Sequence, residues 1–336
     1  MTAKTPRIIT RLVWTSGLLL VVLVAAMLAG ISTGSSGGGP GSVLQVLLGG
    51  NEPDSMQHAI IWQIRLPRVL LAALVGATLS LGGLVFQALL RNLLAEPYIL
   101  GISGGSAIGA IVGILLGLAR FPGVSLTAFM GSMATLTLIL VMTSGRSLMK
   151  KESLLLSGVM VNAFCSSVIM FLVSITQDAK LHNIIFWLMG DLSTADIRQV
   201  GLLGAMVLPC FILIFWHSHG MNLLLLGKEM AQATGINIKA VTVTLLVASS
   251  FMVSATVSYC GLIGFVGLVM PHLLRLLFGP DHRILVPACI LGGGAYLIIC
   301  DLLSRTLPEQ GEMPAGVITA LIGAPLFIIL LKRSGR

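Results

Sequence analysis

The chain has 336 residues, 56% hydrophobic and only 10% charged, with a formal net charge of +8 and a mean hydropathy of +1.01. Soluble domains carry about 25% charged residues, so a water-soluble globular class is excluded, and the basic balance need not mean nucleic-acid binding. Apolar runs that can each cross a ~30 Å hydrocarbon core recur along most of the chain and predict an all-α polytopic membrane protein.

Ten spans are predicted in chain order, at roughly 12–30, 69–90, 97–118, 125–143, 153–176, 199–216, 236–257, 262–278, 284–304 and 314–331. Together they form one transmembrane domain over 1–336. The basic start, with Lys4, Arg7 and Arg11, reads as a cytosolic tail over 1–11. Span one runs into a Gly/Ser-rich loop with no convincing signal-peptidase site. That loop, 31–64, is expected outside and carries Glu52 and Asp54.

Span two opens on WQIRLPRVLL. Pro67 suits a first helical turn, but a helix N-terminus carries partial positive charge and is a poor place for Arg68. At the bilayer centre each arginine would cost about 2.5–3.5 kcal/mol, so Arg65 and Arg68 are expected at the outer surface. They either snorkel, pair with Glu52, Asp54, Glu309 or Glu312 of this chain, or await a partner. GISGGS at 101–106 is glycine-rich, yet it opens no βαβ unit and supports no dinucleotide site.

In span five Gly158, Asn162 and Ser166 recur every four residues as a small, polar stripe. Such a stripe packs another helix or lines a solute path. Residues 177–198 form a second outer segment, whose IIFWLMG lies at the interface or re-enters the membrane. Residues 217–235 form an inner loop longer than a connector needs. It contains His217 and His219, read as interfacial rather than metal-binding, and a short candidate helix, KEMAQAT, bracketed by Gly227 and Gly235. That helix either docks a cytosolic partner or lies along the membrane surface.

In span eight Gly261, Gly264 and Gly267, followed by Pro271, predict a kinked and tightly packed helix. In span nine Asp301 and Arg305 stand four apart on one face and predict an internal ion pair. Cys165, Cys210, Cys260, Cys289 and Cys300 are scattered singly, as packing residues are. Fourteen of the twenty Lys and Arg fall in segments that are inner if the N-terminus is cytosolic. Arg65, Arg68, Arg120, Lys180, Arg198 and Arg305 fall outside. The positive-inside rule then places both termini in the cytoplasm. There is no GxxxxGK[ST], HExxH or GxSxG and no cysteine–histidine cluster of zinc spacing, so neither nucleotide hydrolysis by a P-loop nor any other enzyme chemistry is expected of this chain, and no metal site.

Several motifs resemble the FecCD-type permeases, membrane subunits of type II ABC importers for iron chelates and cobalamin. They are IRLPR at 64–68, LVGATLSLGG at 74–83, QALLRNLLAEPYILG at 87–101, LLLLGKEMAQATG, GLIGFVGLVMPHLLR, GPDHR and EMPAGVITALIGAPLF, in family order from about residue 62 to the C-terminus. Leu93 stands where RNPLA of the family has proline, and Lys228 and Thr234 depart from the usual coupling helix.

The resemblance implies the type II ABC importer permease fold, a multi-pass subunit in a bacterial or archaeal inner membrane, and a homodimer bearing two separate ATPase subunits. ATP and Mg are bound by those subunits, leaving no cofactor here. A soluble binding protein is expected to dock on Arg65, Arg68 and Arg305. The coupling helix corresponds to Gly227, Lys228, Glu229, Met230, Ala231 and Gly235. The pathway and gate correspond to Lys151, Glu152 and Ser153 with Gly158, Asn162 and Ser166. Iron chelates, siderophore or haem, are the broader family cargo and the first expectation, with cobalamin the alternative. An ion-coupled secondary transporter is the rival class, poorly supported because Asp301 is the main intramembrane acid candidate.

Overall fold

The computed structural model describes residues 5–33, 56–143, 151–225, 237–308 and 311–334. Among them there is no strand. The helices are α1 (Thr5–Ser32), α2 (Leu66–Leu90), α3 (Ile102–Leu115), α4 (Ser125–Met142), α5 (Lys151–Ser174) and α6 (Asp178–Leu188). They continue as α7 (Ile197–Trp216), α8 (Ser218–Leu225), α9 (Ile238–Cys260), α10 (Val266–Phe278), α11 (His282–Thr306) and α12 (Ala315–Ser334). Each of the ten expected spans has its helix; α6 and α8 are short additions between them.

Seven described helices are long and apolar enough to cross a membrane, and Ile102–Leu115, Val266–Phe278 and Ala315–Leu330 are shorter. At 1.5 Å per residue the 14-residue α3 reaches only about 21 Å. Irregular chain makes up the difference: Pro97–Leu100 forms a 3₁₀ turn ahead of α3. The predicted span from 262 is likewise corrected, because α10 begins only at Val266. Gly261 at φ 74° and Phe265 at φ 67° are left-handed residues that a continuing helix cannot contain. A side chain at Gly261 would also strike the Trp187 carbonyl.

The expected outer loop 31–64 needs a correction too. Its last part is helical, as Met56–Ala59 and a π turn Ile60–Arg65, and runs straight into α2. Pro67 does sit in the first turn of α2. The 177–198 segment contains helix α6, with Ile184 and Trp187 buried, followed by irregular chain to the start of α7. It folds back against the irregular entry to α10, where the Asp191 amide donates to the Cys260 carbonyl at 2.8 Å.

α2 is the centre of the molecule, buried over nearly its whole length. Leu, Val and Phe on every face give it no polar stripe, so helices surround it on all sides. It meets α11 where Gly76 lies on the Gly293 carbonyl and α10 where Gly83 lies on the Gly267 carbonyl. A Cβ at either glycine would collide with backbone. Lipid offers no hydrophobic drive between helices, so such close approach is what holds them.

Candidate functional site

The end of α2 that opens on Arg65 meets the last turn of α11. Arg68 Nε donates to both oxygens of Asp301, at 3.0 and 3.1 Å, and its Nη2 lies 2.9 Å from Asp301 Oδ1. Its Nη1 reaches Glu312 Oε2 at 2.6 Å. Arg305 pairs with the same Asp301 from one turn away, Nε to Oδ2 at 3.2 Å, so the ion pair expected from spacing is present. Arg305 Nη2 also donates to the Gly30 carbonyl at 3.2 Å, and Arg65 Nη1 to the Ile31 carbonyl at 2.9 Å. Both carbonyls belong to the end of α1, where unsatisfied C=O groups and the negative pole of the helix dipole attract cations.

The three arginines that the sequence spreads over 240 residues are thus gathered at one end of α1, α2 and α11. Arg65 and Arg68 are only 6% and 5% exposed and Asp301 1%, so this is a buried ionic network rather than a fringe of snorkelling side chains. Glu312 is the outward member, its side chain 45% exposed. Of the four acids considered from sequence, Glu312 is a partner; Glu52, Asp54 and Glu309 lie outside the described residues. The Arg68–Asp301 contact had no signal in the sequence, since its members are 233 positions apart.

The polar stripe on α5 divides. Gly158 is buried, and a Cβ there would strike the Ile99 carbonyl, so it serves packing. Asn162 and Ser166 are exposed. Glu152, also exposed, lies in the first turn, where an acid suits the helix dipole. Ser153 is half-buried, and Lys151 begins the helix. The expected coupling residues Gly227, Lys228, Glu229, Met230, Ala231 and Gly235 lie outside the described residues.

Acids outside the spans have displaced pKa values. Despite burial, the Arg120 guanidinium holds the Asp191 carboxyl below its ordinary value. Burial pushes the Glu96 carboxyl up to about 7. Burial also raises Asp281, but hydrogen bonds from Arg283 and Asn222 outweigh it and hold that carboxyl at about 2. Asp281 accepts from the Arg283 amide at 3.0 Å and so caps α11. His217 Nδ1 lies 2.9 Å from the Leu213 carbonyl, at the C-terminal end of α7. An ion pair that sequence reasoning missed, Arg120 Nη1 to Asp191 Oδ2 at 2.8 Å, ties the α3–α4 turn to the segment after α6.

Residues 19–333 match the model of the FecCD transport family. The vitamin B12 import system permease protein BtuC of Salmonella arizonae is 39% identical over 325 residues, covering 96% of this chain and 95% of that protein. BtuC of Salmonella typhimurium is 38% identical over the same length, covering 96% of each. Among solved structures, an inward-facing transporter assigned to the metal-chelate type of ABC transporter superposes with a TM-score of 0.84 at 32% identity, over 95% of this chain and 98% of that one. A chain of PsaBC from Streptococcus pneumoniae, solved with a Fab, shares the fold at a TM-score of 0.53 and 18% identity, over 79% of this chain and 90% of that one.

Proposed function

The chain belongs to the FecCD transport family, and from that premise we propose that it is the permease of an ATP-driven importer that receives a metal chelate from a soluble binding protein. It is the transport subunit of an ABC transporter and not itself catalytic. Two copies form the pathway in the inner membrane, with both termini in the cytoplasm, and two partner ATPase subunits engage residues 227–235. The loaded binding protein docks at the Arg65, Arg68 and Arg305 end and releases cargo between the protomers. Nucleotide turnover then tilts the helices and alternates the gates. Asn162 and Ser166 line the path and bind cargo weakly, since a site that holds its passenger slows release.

The observation that carries the docking assignment is the contact between Arg68 and the exposed carboxylate of Glu312. It supports a surface already built to accept carboxylates at that end of the bundle. Similarity to vitamin B12 permeases over 96% of the chain favours a corrinoid cargo over the iron chelate first expected from sequence. The resemblance to a metal-chelate type transporter keeps a ferric chelate as the second reading.

The test is to titrate the cognate binding protein with cobalamin, ferric siderophores and haem, following tryptophan fluorescence. Tight binding of cobalamin alone supports the corrinoid reading, and tight binding of an iron complex alone replaces it. Proteoliposome uptake driven by an ion gradient, with no ATPase subunit, would refute an importer of either kind.

A further inference from the structure

At the other end of the bundle, one amide pins α8 to the start of α11. Asn222 Nδ2 donates to Asp281 Oδ1 at 2.8 Å. Asn222 Oδ1 accepts from the His282 backbone amide at 2.9 Å and lies 2.7 Å from His282 Nδ1. A carboxylate only accepts and a backbone N–H only donates, so the orientation of the amide is determined by its neighbours. Facing that oxygen, His282 Nδ1 carries the ring proton. His282 is completely buried, and Asp281 is held on its far side by Arg283 at 2.7 Å. Bonds of this kind, with an ionised acceptor and little water, are stronger than exposed neutral ones.

α11 has little freedom to move on its own. Its other end is clamped by Asp301 to Arg68 and by Arg305 to the Gly30 carbonyl. Midway, Gly293 is pressed between Ser80 and the Gly76 carbonyl of α2. The 25 residues of α11 span about 37 Å, with the Asn222 contact at one end and the arginine cluster at the other. α8 ends three residues after Asn222, at Leu225, and the chain continues directly into the segment assigned above to the ATPase.

We propose that Asn222 is the positioning residue that makes α8 follow α11, so that a displacement of the inner loop reaches the Asp301 and Arg305 end. The proposal rests on the importer reading. Bonds from one amide to the Asp281 carboxylate and to the backbone N–H and ring Nδ1 of His282 resist sliding as well as rotation, which a plain helix–loop junction does not. The physical element linking the two ends is therefore α11, joined to α8 by hydrogen bonds rather than by apolar contact alone.

The test uses the assembled transporter and reads ATP hydrolysis per assembled complex, with and without the loaded binding protein. Asn222→Asp sets carboxylate against carboxylate, and stimulation by the binding protein is lost. Asp281→Asn keeps an accepting oxygen and a good helix cap, and stimulation is retained. In the swapped pair N222D/D281N the new amide at 281 donates to the new carboxylate at 222, and stimulation returns. Wild-type stimulation in N222D overturns the proposal, as does a loss that the swap does not repair. If N222D fails to assemble, a swapped pair that assembles and responds supports the proposal, and one that does not assemble overturns it. A merely structural asparagine would lower the amount of complex and leave stimulation per complex unchanged. A wild-type complex with no stimulation would refute the importer reading, and this inference with it.

Discussion

Arg68 on α2 grips Asp301 on α11 through Nε and Nη2, at 2.9–3.1 Å, inside a site where neither residue is more than 5% exposed. The same guanidinium holds Glu312, which faces outward. One arginine thus has a buried structural partner it cannot release cheaply and a second, half-exposed partner at the surface.

Removing the structural half should cost most. Arg68→Ala leaves Asp301 buried with Arg305 alone, and losing one member of a buried ionic network costs about 3–5 kcal/mol. The expected outcome is a marked fall in the thermal midpoint of the detergent-solubilised protein. Arg68→Ala with an unchanged midpoint would mean that the network contributes nothing to the fold.

If the binding protein docks on Arg68 as proposed, Glu312 competes with it for that guanidinium. Half-exposed ion pairs contribute up to about 1 kcal/mol, or about fivefold in affinity. Glu312→Gln should therefore tighten binding of the binding protein by up to that factor, measured by surface plasmon resonance on reconstituted permease. Weaker binding would make Glu312 part of the docking surface instead.

Close helix packing around α2 predicts a sharp contrast between glycines. Gly83→Val drives a branched side chain into the Gly267 carbonyl, whereas a Cβ at Gly17 meets nothing within 4 Å. Gly83→Val should abolish accumulation of folded protein in the membrane, and Gly17→Ala should accumulate normally. Equal yields would show that α2 and α10 can separate without cost.

Glu96 predicts a pH dependence near neutrality. Its carboxyl titrates at about 7 in the folded chain against an ordinary value of 4.5, because burial disfavours the anion. The folded state therefore holds a proton that the unfolded state loses first, and stability falls as pH rises from about 4.5 to about 7. The loss should be on the order of 1–3 kcal/mol. Thermal midpoints of wild type should fall relative to those of Glu96→Gln over that window; parallel curves would remove Glu96 as the cause.

Much of the architecture could be read directly from the chain. Ten spans follow from hydropathy because a lipid-exposed backbone must satisfy its own hydrogen bonds, and a helix does so locally. Pro67 at the first turn of α2 and the Asp301–Arg305 pair were readable for the same reason: both depend on neighbours one turn away. The arginines themselves stood out as charges that lipid would not tolerate alone.

Packing decided the rest. Nothing near Arg68 announces Asp301, and nothing in GLIGFVG tells a kinked helix from the irregular entry that Gly261 and Phe265 form. The α5 stripe looked uniform, yet Gly158 is packed against Ile99 while Asn162 and Ser166 are open. Helices apolar on every side carry no stripe to say which neighbour they face. Which small residues meet, and so which charges are brought together, is settled only when the helices pack.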